Sequence, residues 1–167
     1  ALGLDAASVS DCRLMIRGTM MSQDVNGLTF RSRSQELRVR MLSAADLLAQ
    51  LSSATYLERL AYLFEEDQAA GDARYRDIPD SYRKAIQFDA LARTRIQNHL
   101  PQTDSYLAKH FSARWNTPAN LYRISMDRQI SYLAKAMADG SFDPNSDLRR
   151  WSSLNELERS MKLKAGF

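Results

Sequence analysis

Apolar residues return at helical spacing along most of this chain, and this periodicity limits its fold more than any other feature. From Ser34 onward they recur every three or four residues, as they do on one face of an α-helix. The first stripe consists of Leu37, Met41, Ala44, Ala45, Leu48 and Leu51. The second, beyond Ser52 and Ser53, consists of Leu57, Leu60, Ala61 and Phe64. The pattern predicts a mainly α-helical protein.

Capping residues and helix breakers divide the remainder into further helices. A first helix is predicted over residues 8–21, and the Asn26-Gly27 pair marks a turn after it. Further helix starts are expected at Asp80 or Ser81, at Thr103, after Thr117-Pro118, and at Ser146 or Asp147. Helix ends are expected at Gly71, Pro101 and Gly140. The last helix would carry Trp151, Leu154 and Met161.

The chain has 167 residues, of which 44% are hydrophobic and 26% are charged, so it can bury a core of its own. We divide it into an N-terminal helix and turn (1–26), a central module (27–72) and a helical C-terminal region (80–167). No run of about eighteen apolar residues occurs, so no membrane association is expected. The lone Cys12 cannot form an internal disulfide, which fits a cytoplasmic location.

Charge is distributed in blocks, although the formal net charge is only +3. Residues 11–40 hold six Arg against three acidic residues, and residues 41–80 hold three Arg against eight acidic residues. Residues 81–135 hold nine basic residues against three Asp. Arg outnumbers Lys by 18 to 5, and Arg suits bidentate contacts to phosphates and base edges. The blocks are compatible with nucleic acid or with a charged protein as partner.

One short segment breaks the helical period. From Leu28 to Arg33 the chain reads Leu-Thr-Phe-Arg-Ser-Arg, in which apolar and polar residues alternate before the end. Alternation with a period of two is typical of a β-strand. We therefore expect a mainly α fold with one short β-strand, followed by two helices and a helical extension.

The order of strand, helix, turn and helix over residues 27–70 resembles the ribbon-helix-helix DNA-binding family, over about a quarter of the chain. In that family two chains pair their strands, and the double ribbon enters the major groove. The resemblance implies a homodimer that binds double-stranded DNA, with Leu28 and Phe30 facing the helices. The implied DNA-binding residues are Thr29, Arg31 and Arg33 on the ribbon, Arg38 and Arg40 near phosphates, and Ser52, Ser53 and Thr55 at the second helix.

These observations favour a dimeric DNA-binding transcriptional regulator that reads duplex DNA through an Arg-bearing strand. The C-terminal helices would then be available for contacts with a protein partner. The first alternative is a non-enzymatic helical adaptor whose charge blocks match another protein. No nucleophile elbow or phosphate-binding loop occurs, and one Cys with two His is too few for a zinc site. We therefore predict no catalytic residue, no cofactor and no metal.

The second alternative is a ribonuclease. The Arg93-x5-His99 spacing resembles the motif of the helical HEPN-type ribonucleases. The resemblance implies that Arg93 stabilises a phosphate and that His99 performs acid–base chemistry. Under this hypothesis, His99→Ala would abolish RNA cleavage.

Overall fold

A computed structural model describes Gly3 and residues 5–140 and 142–148. The helices in these ranges are α1 (Ala6–Thr19), α2 (Arg33–Leu51), α3 (Tyr56–Ala70), α4 (Ile78–His99), α5 (Thr103–Trp115), α6 (Leu121–Ala138) and α7 (Pro144–Asp147). A 3-10 turn at Val25–Gly27 precedes α2. The same ranges contain no β-strand, so the described chain is all α-helical. Trp151, Leu154 and Met161 of the last predicted helix lie outside the described residues.

The β-strand predicted at residues 28–33 is wrong, and so is a fold built on a ribbon-helix-helix module. Helix α2 already begins at Arg33, because the Ser32 hydroxyl caps it by accepting a hydrogen bond from the Gln35 backbone N–H at 3.2 Å. On the other side, the Asp24 carboxylate caps the 3-10 turn. Residues 28–32 are left as a connection that finds no strand partner in the described part of the chain.

The chain forms two compact units, each assembled from two stretches that are distant in sequence. Unit 1 comprises Ala1–Ser52 and Ala90–Ile124. Unit 2 comprises Ser53–Asp89 and Ser125–Phe167. The sequence ranges 1–26, 27–72 and 80–167 follow a different division, and they stay a prediction of domain organisation.

In unit 1, α1 packs against α2 at Gly18. This glycine is buried and lies directly against Val39, which is fully buried. Arg95 of α4 donates hydrogen bonds to the carbonyl oxygens of Gly18, Met20 and Met21 at 3.0, 2.8 and 3.0 Å. These carbonyls lie at the C-terminal end of α1, where carbonyl groups have no donor within the helix and carry partial negative charge. The guanidinium group supplies donors and positive charge at this end.

In unit 2, the core is formed by α3, α4 and α6. Helix α3 buries Leu57, Leu60 and Ala61, as the spacing of its apolar residues predicts. Tyr82 of α4 is fully buried, and its ring meets the Phe142 ring edge to face at 4.9 Å. Helix α6 contributes Met126 and Leu133. Aromatic and aliphatic side chains from separate helices thus supply this core.

Helix α2 buries only part of its predicted apolar stripe. Ala44, Leu48 and Leu51 are buried, whereas Leu37 and Met41 are 47% and 52% exposed. Helix α1 covers the side of α2 that carries Val39, a residue outside the predicted stripe. The first two turns of the stripe therefore remain at the surface of unit 1.

Candidate nucleic-acid interface

A basic groove lies between α1 and the start of α2 in unit 1. Its volume is about 320 Å³, and its lining consists of Ser10, Arg13, Leu14, Arg17, Thr29, Arg31 and Gln35. Arg13 and Arg17 are one helical turn apart on α1, so both guanidinium groups project from the same face of the helix. The groove therefore combines three arginines with the hydroxyl groups of Ser10 and Thr29.

Gln35 and Asp11 hold Arg31 at the edge of this groove. The Gln35 side-chain oxygen accepts a hydrogen bond from the Arg31 backbone N–H at 2.7 Å. The Gln35 amide group donates to the Asp11 carboxylate, which also accepts from the guanidinium groups of Arg31 and Arg38. Arg38 lies 3.3 Å from Asp11 and remains 53% exposed. This network fixes the connection that carries Thr29 and Arg31.

The groove has a positive balance of charge. The hydrogen bond from Gln35, with those from Arg31 and the charge of Arg38, holds the pKa of Asp11 below its usual range. Asp11 is therefore ionised at neutral pH and offsets part of the charge of Arg31 and Arg38. Arg13 and Arg17 are exposed and form no ion pair with any described residue. Unit 1 as a whole carries eleven Arg and Lys against six Asp and Glu, a net charge of +5.

Two of the predicted DNA-binding arginines lie in a different depression. Arg33 and Arg40 line a cleft of about 420 Å³, together with Asn98, His99 and Tyr106. The Arg40 guanidinium group already bonds the Glu36 carboxylate at 2.8 Å, the Asn26 side chain at 3.1 Å and the His99 carbonyl at 3.4 Å. Thr29 and Arg31 are therefore brought together, whereas Arg33 and Arg40 are placed elsewhere.

The three predicted hydroxyl residues lie in the connection between α2 and α3. The Ser52 hydroxyl donates to the Leu48 carbonyl at 2.5 Å, within unit 1. In unit 2, the Ser53 and Thr55 hydroxyls lie 3.2 Å apart and hydrogen-bond each other. Thr55 is the residue before α3 but makes no side-chain cap, and none of the three residues lines the basic groove.

The pair expected of a ribonuclease is also separated. His99 is buried, with its ring Nδ1 3.5 Å from the Ser43 hydroxyl. Burial, followed by the charges of Arg95 and Arg40, lowers the pKa of His99. Arg93 is not among the residues that line the cleft beside His99, because a spacing of six residues points the two side chains to different faces of α4. Ribonuclease activity stays a prediction.

Sequence reasoning did not select Arg13 and Arg17, which line the basic groove, although both fall inside the first predicted helix. Their spacing of four residues was a usable signal, since it places two cations on one face. The spacing could not predict that the connection before α2 brings Thr29 and Arg31 to the same place.

Among the described residues, no group of three or more His, Cys, Asp or Glu side chains could hold a metal ion.

Comparison with known proteins adds no family to this description. No family model matches the chain, and no curated protein or solved structure matches it either. Within the described ranges, every helix is too short or too polar to cross a membrane. The basic groove and its surroundings are therefore the basis on which a function can be inferred.

Proposed function

We propose that this protein binds duplex DNA through the basic groove between α1 and α2. The observation that carries the proposal is the convergence of Arg13, Arg17 and Arg31 on one groove, where two of the three have no acidic partner among the described residues. Phosphate groups are the natural ligands of such a cluster, because guanidinium groups bond phosphate oxygens in a bidentate manner.

The proposed contacts are to the DNA backbone. The hydroxyl groups of Ser10 and Thr29 add hydrogen-bond donors of the kind that commonly contact phosphates. Arg38 is exposed behind Arg31 and adds positive charge beside the groove. Backbone contacts fix the position of a protein on the duplex, whereas base contacts supply sequence specificity. The proposal is therefore for DNA binding with a strong electrostatic component.

The wider role of a transcriptional regulator, a cytoplasmic location and a homodimer belong to the same proposal. The dimer was expected from paired strands, and the described chain has no strand for that purpose. A dimer would therefore have to form through helices. Sedimentation equilibrium at several concentrations tests it directly, and a monomer at every concentration would remove the dimer from the proposal.

Duplex binding is measured by fluorescence anisotropy over a salt series. Three phosphate contacts predict that log K falls with log salt concentration at a slope of about −2.7, so that affinity drops about 40-fold between about 50 and 200 mM NaCl. The Arg13→Ala/Arg17→Ala variant should reduce the slope to about −1 and weaken binding at low salt. Both side chains are exposed, so the fold should be retained.

The matched control is Arg59→Ala/Lys135→Ala. It removes two positive charges from exposed positions of unit 2 and leaves the groove intact. Affinity and salt slope should stay close to those of the unmodified protein. If both double variants weaken binding equally, net charge and not the groove governs the interaction. If the unmodified protein shows no saturable binding at low salt, the proposal fails.

A further inference from the structure

A second groove in unit 1 is apolar. It lies between α2 and the start of α5, and its volume is about 340 Å³. The lining consists of Leu37, Met41, Ala44, Ala45, Leu48, Leu100, Thr103, Tyr106 and Leu107. All but Thr103 and the Tyr106 hydroxyl present hydrocarbon. It shares no residue with the basic groove that we propose for DNA.

The exposed apolar side chains of this groove are concentrated at one place. Leu37, Met41 and Tyr106 are 47%, 52% and 51% exposed. Single exposed apolar residues are ordinary on protein surfaces, but a contiguous set within a groove is typical of an interaction site. Burying them against a partner would remove this apolar surface from water, which favours association.

Positive charge borders the groove. Arg33 lies one turn before Leu37 on α2 and forms no ion pair with any described residue. On α5, Arg114 follows Leu107 by two helical turns, so it continues the same face. The nearby carboxylates are occupied, since Glu36 pairs with Arg40 and Asp104 pairs with Arg123. The rim therefore favours an occupant that carries negative charge.

The dimensions favour a helix as occupant. The residues of α2 that line the groove run from Leu37 to Leu48, a span of about 16 Å at 1.5 Å per residue. This span matches about three turns of a second helix, which would present apolar side chains at i, i+3, i+4 and i+7. Unit 1 carries a net charge of +5, so unit 1 of a second copy would be repelled from the rim, whereas an acidic helix of another protein would be attracted to it.

We propose that the groove between α2 and α5 binds an acidic amphipathic helix of a partner protein. The apolar face of that helix would lie on Leu37, Met41 and Tyr106, and its carboxylates would meet Arg33 on α2 and Arg114 on α5. This site is independent of the DNA proposal, because its residues and its ligand are different.

Designed peptides test the assignment. Three fluorescein-labelled helical peptides share a length of about 16 residues. The first has Leu at i, i+3, i+4 and i+7 with Glu on both flanks, the second has Lys in place of Glu, and the third has Ser in place of Leu. The acidic peptide should bind the full chain at least about tenfold more tightly than either of the others at low salt.

Variants of the protein locate the binding. Met41→Lys and, as a second and milder change at an exposed position, Ala45→Glu should each weaken the acidic peptide about tenfold or more. Arg33→Glu should reduce the preference for the acidic peptide over the basic one. The matched control is Leu91→Lys, which alters a 57% exposed leucine of unit 1 outside the groove. It should leave the affinity for the acidic peptide unchanged.

Several results would overturn the proposal. They are the absence of saturable binding by the acidic peptide, equal affinity for the acidic and basic peptides, and an affinity that neither groove variant changes. Loss of peptide binding in Arg13→Ala/Arg17→Ala would place the peptide in the other groove. A dimer in sedimentation that Met41→Lys dissociates would assign the groove to a second copy of this chain. Met41→Lys should leave DNA binding unchanged, because Met41 does not line the basic groove. The failure of one proposal can therefore be told apart from the failure of the other.

Discussion

At Gly18, α1 and α2 approach so closely that no side chain fits between them. A Cβ atom placed on Gly18 would collide with Cγ1 of Val39, which is fully buried. Ala is otherwise favoured over Gly inside a helix by about 1 kcal/mol. Packing and helix propensity therefore oppose each other at this residue, and the close contact decides in favour of Gly.

We expect Gly18→Ala to lower the free energy of unfolding by about 1–3 kcal/mol, because overpacking against Val39 outweighs the gain in helix propensity. Urea denaturation followed by circular dichroism measures the change. Adding Val39→Ala should relieve the collision, at the expense of a small cavity. Gly27→Ala is the control, since its Cβ position has no atom within 4 Å. A Gly18→Ala protein that is more stable than the unmodified one would contradict this packing.

His99 is a second residue whose surroundings determine its chemistry. Burial disfavours its charged form, and the guanidinium groups of Arg95 and Arg40 act in the same direction, while Asp24 opposes them weakly. The folded protein therefore binds a proton at His99 less readily than the unfolded chain, whose pKa is about 6.5. By linkage, the stabilisation is present above the unfolded value and is lost as pH falls below it.

We expect the free energy of unfolding to decrease as pH is lowered from about 7 to about 5, and His99→Gln to remove much of this decrease. This pH range isolates the effect of His99, because Asp5, Asp11 and Asp80 have lowered pKa values and affect stability only at more acidic pH. His110→Gln, at an exposed position, is the control. An unchanged pH profile in His99→Gln would show that His99 is not responsible.

At the scale of elements, the connection from α3 to α4 depends on one buried carboxylate. The Asp67 side chain, which is 0% exposed, accepts hydrogen bonds from the backbone N–H groups of Arg74 and Tyr75 at 2.9 and 3.2 Å. The Arg74 guanidinium group adds a third at 2.8 Å. Gly71, with a φ of +73°, ends α3 and turns the chain back toward this carboxylate.

Asp67→Ala should lower the free energy of unfolding by about 1–3 kcal/mol, since it leaves two part-buried backbone N–H groups without their acceptor. Asp72→Ala is the matched control, because Asp72 pairs with the same Arg74 at 3.1 Å but is 57% exposed. Asp72→Ala should lower the free energy of unfolding by less than about 0.5 kcal/mol. Thermal unfolding of both variants makes the comparison. Equal effects would mean that the ion pair with Arg74, and not the backbone hydrogen bonds to the Asp67 carboxylate, stabilises the connection.

Helix ends illustrate what local sequence specifies within an element. Gly71 ends α3 as predicted, because only a residue tolerant of positive φ fits there without strain. The start predicted at Thr117-Pro118 is displaced, since α6 begins at Leu121 and the Asn120 side chain accepts from the Arg123 N–H at 3.2 Å. The strand predicted at residues 28–33 was wrong in its type of secondary structure and not only in its bounds. Alternation of apolar and polar residues specifies a strand only where a second strand is available to pair with it.

At the scale of the whole molecule, neither unit is continuous in sequence. The first stretch of unit 1 ends at residue 52, and its second stretch begins at residue 90. Buried residues of the first stretch, such as Val39, Leu47 and Leu51, therefore belong to a unit that is complete only when residues 90–124 are present. Helices α4 and α6 each contribute residues to both units.

We expect the fragment 1–52 to lack a cooperative thermal transition, because its apolar surface has lost the second half of the unit. Circular dichroism of the fragment should show far less helix than α1 and α2 form in the structure of the full chain. The complete chain is the control and should unfold cooperatively. A fragment 1–52 that melts cooperatively would show that α1 and α2 suffice as a folding unit.

The sequence by itself determined the helical class, most helix ends and the concentration of arginines, because these depend on periodicity, capping and composition. It also predicted Thr29 and Arg31 to lie on one surface, and the structure places both in the lining of the basic groove. Only the tertiary structure decided which cations share a groove. Arg31 and Arg33 are two residues apart, yet one lies with Arg13 and Arg17 and the other beside His99. The separation arises because Ser32 caps the helix that begins at Arg33, so Arg31 belongs to the preceding connection and the two side chains do not share one face, as they would on a strand.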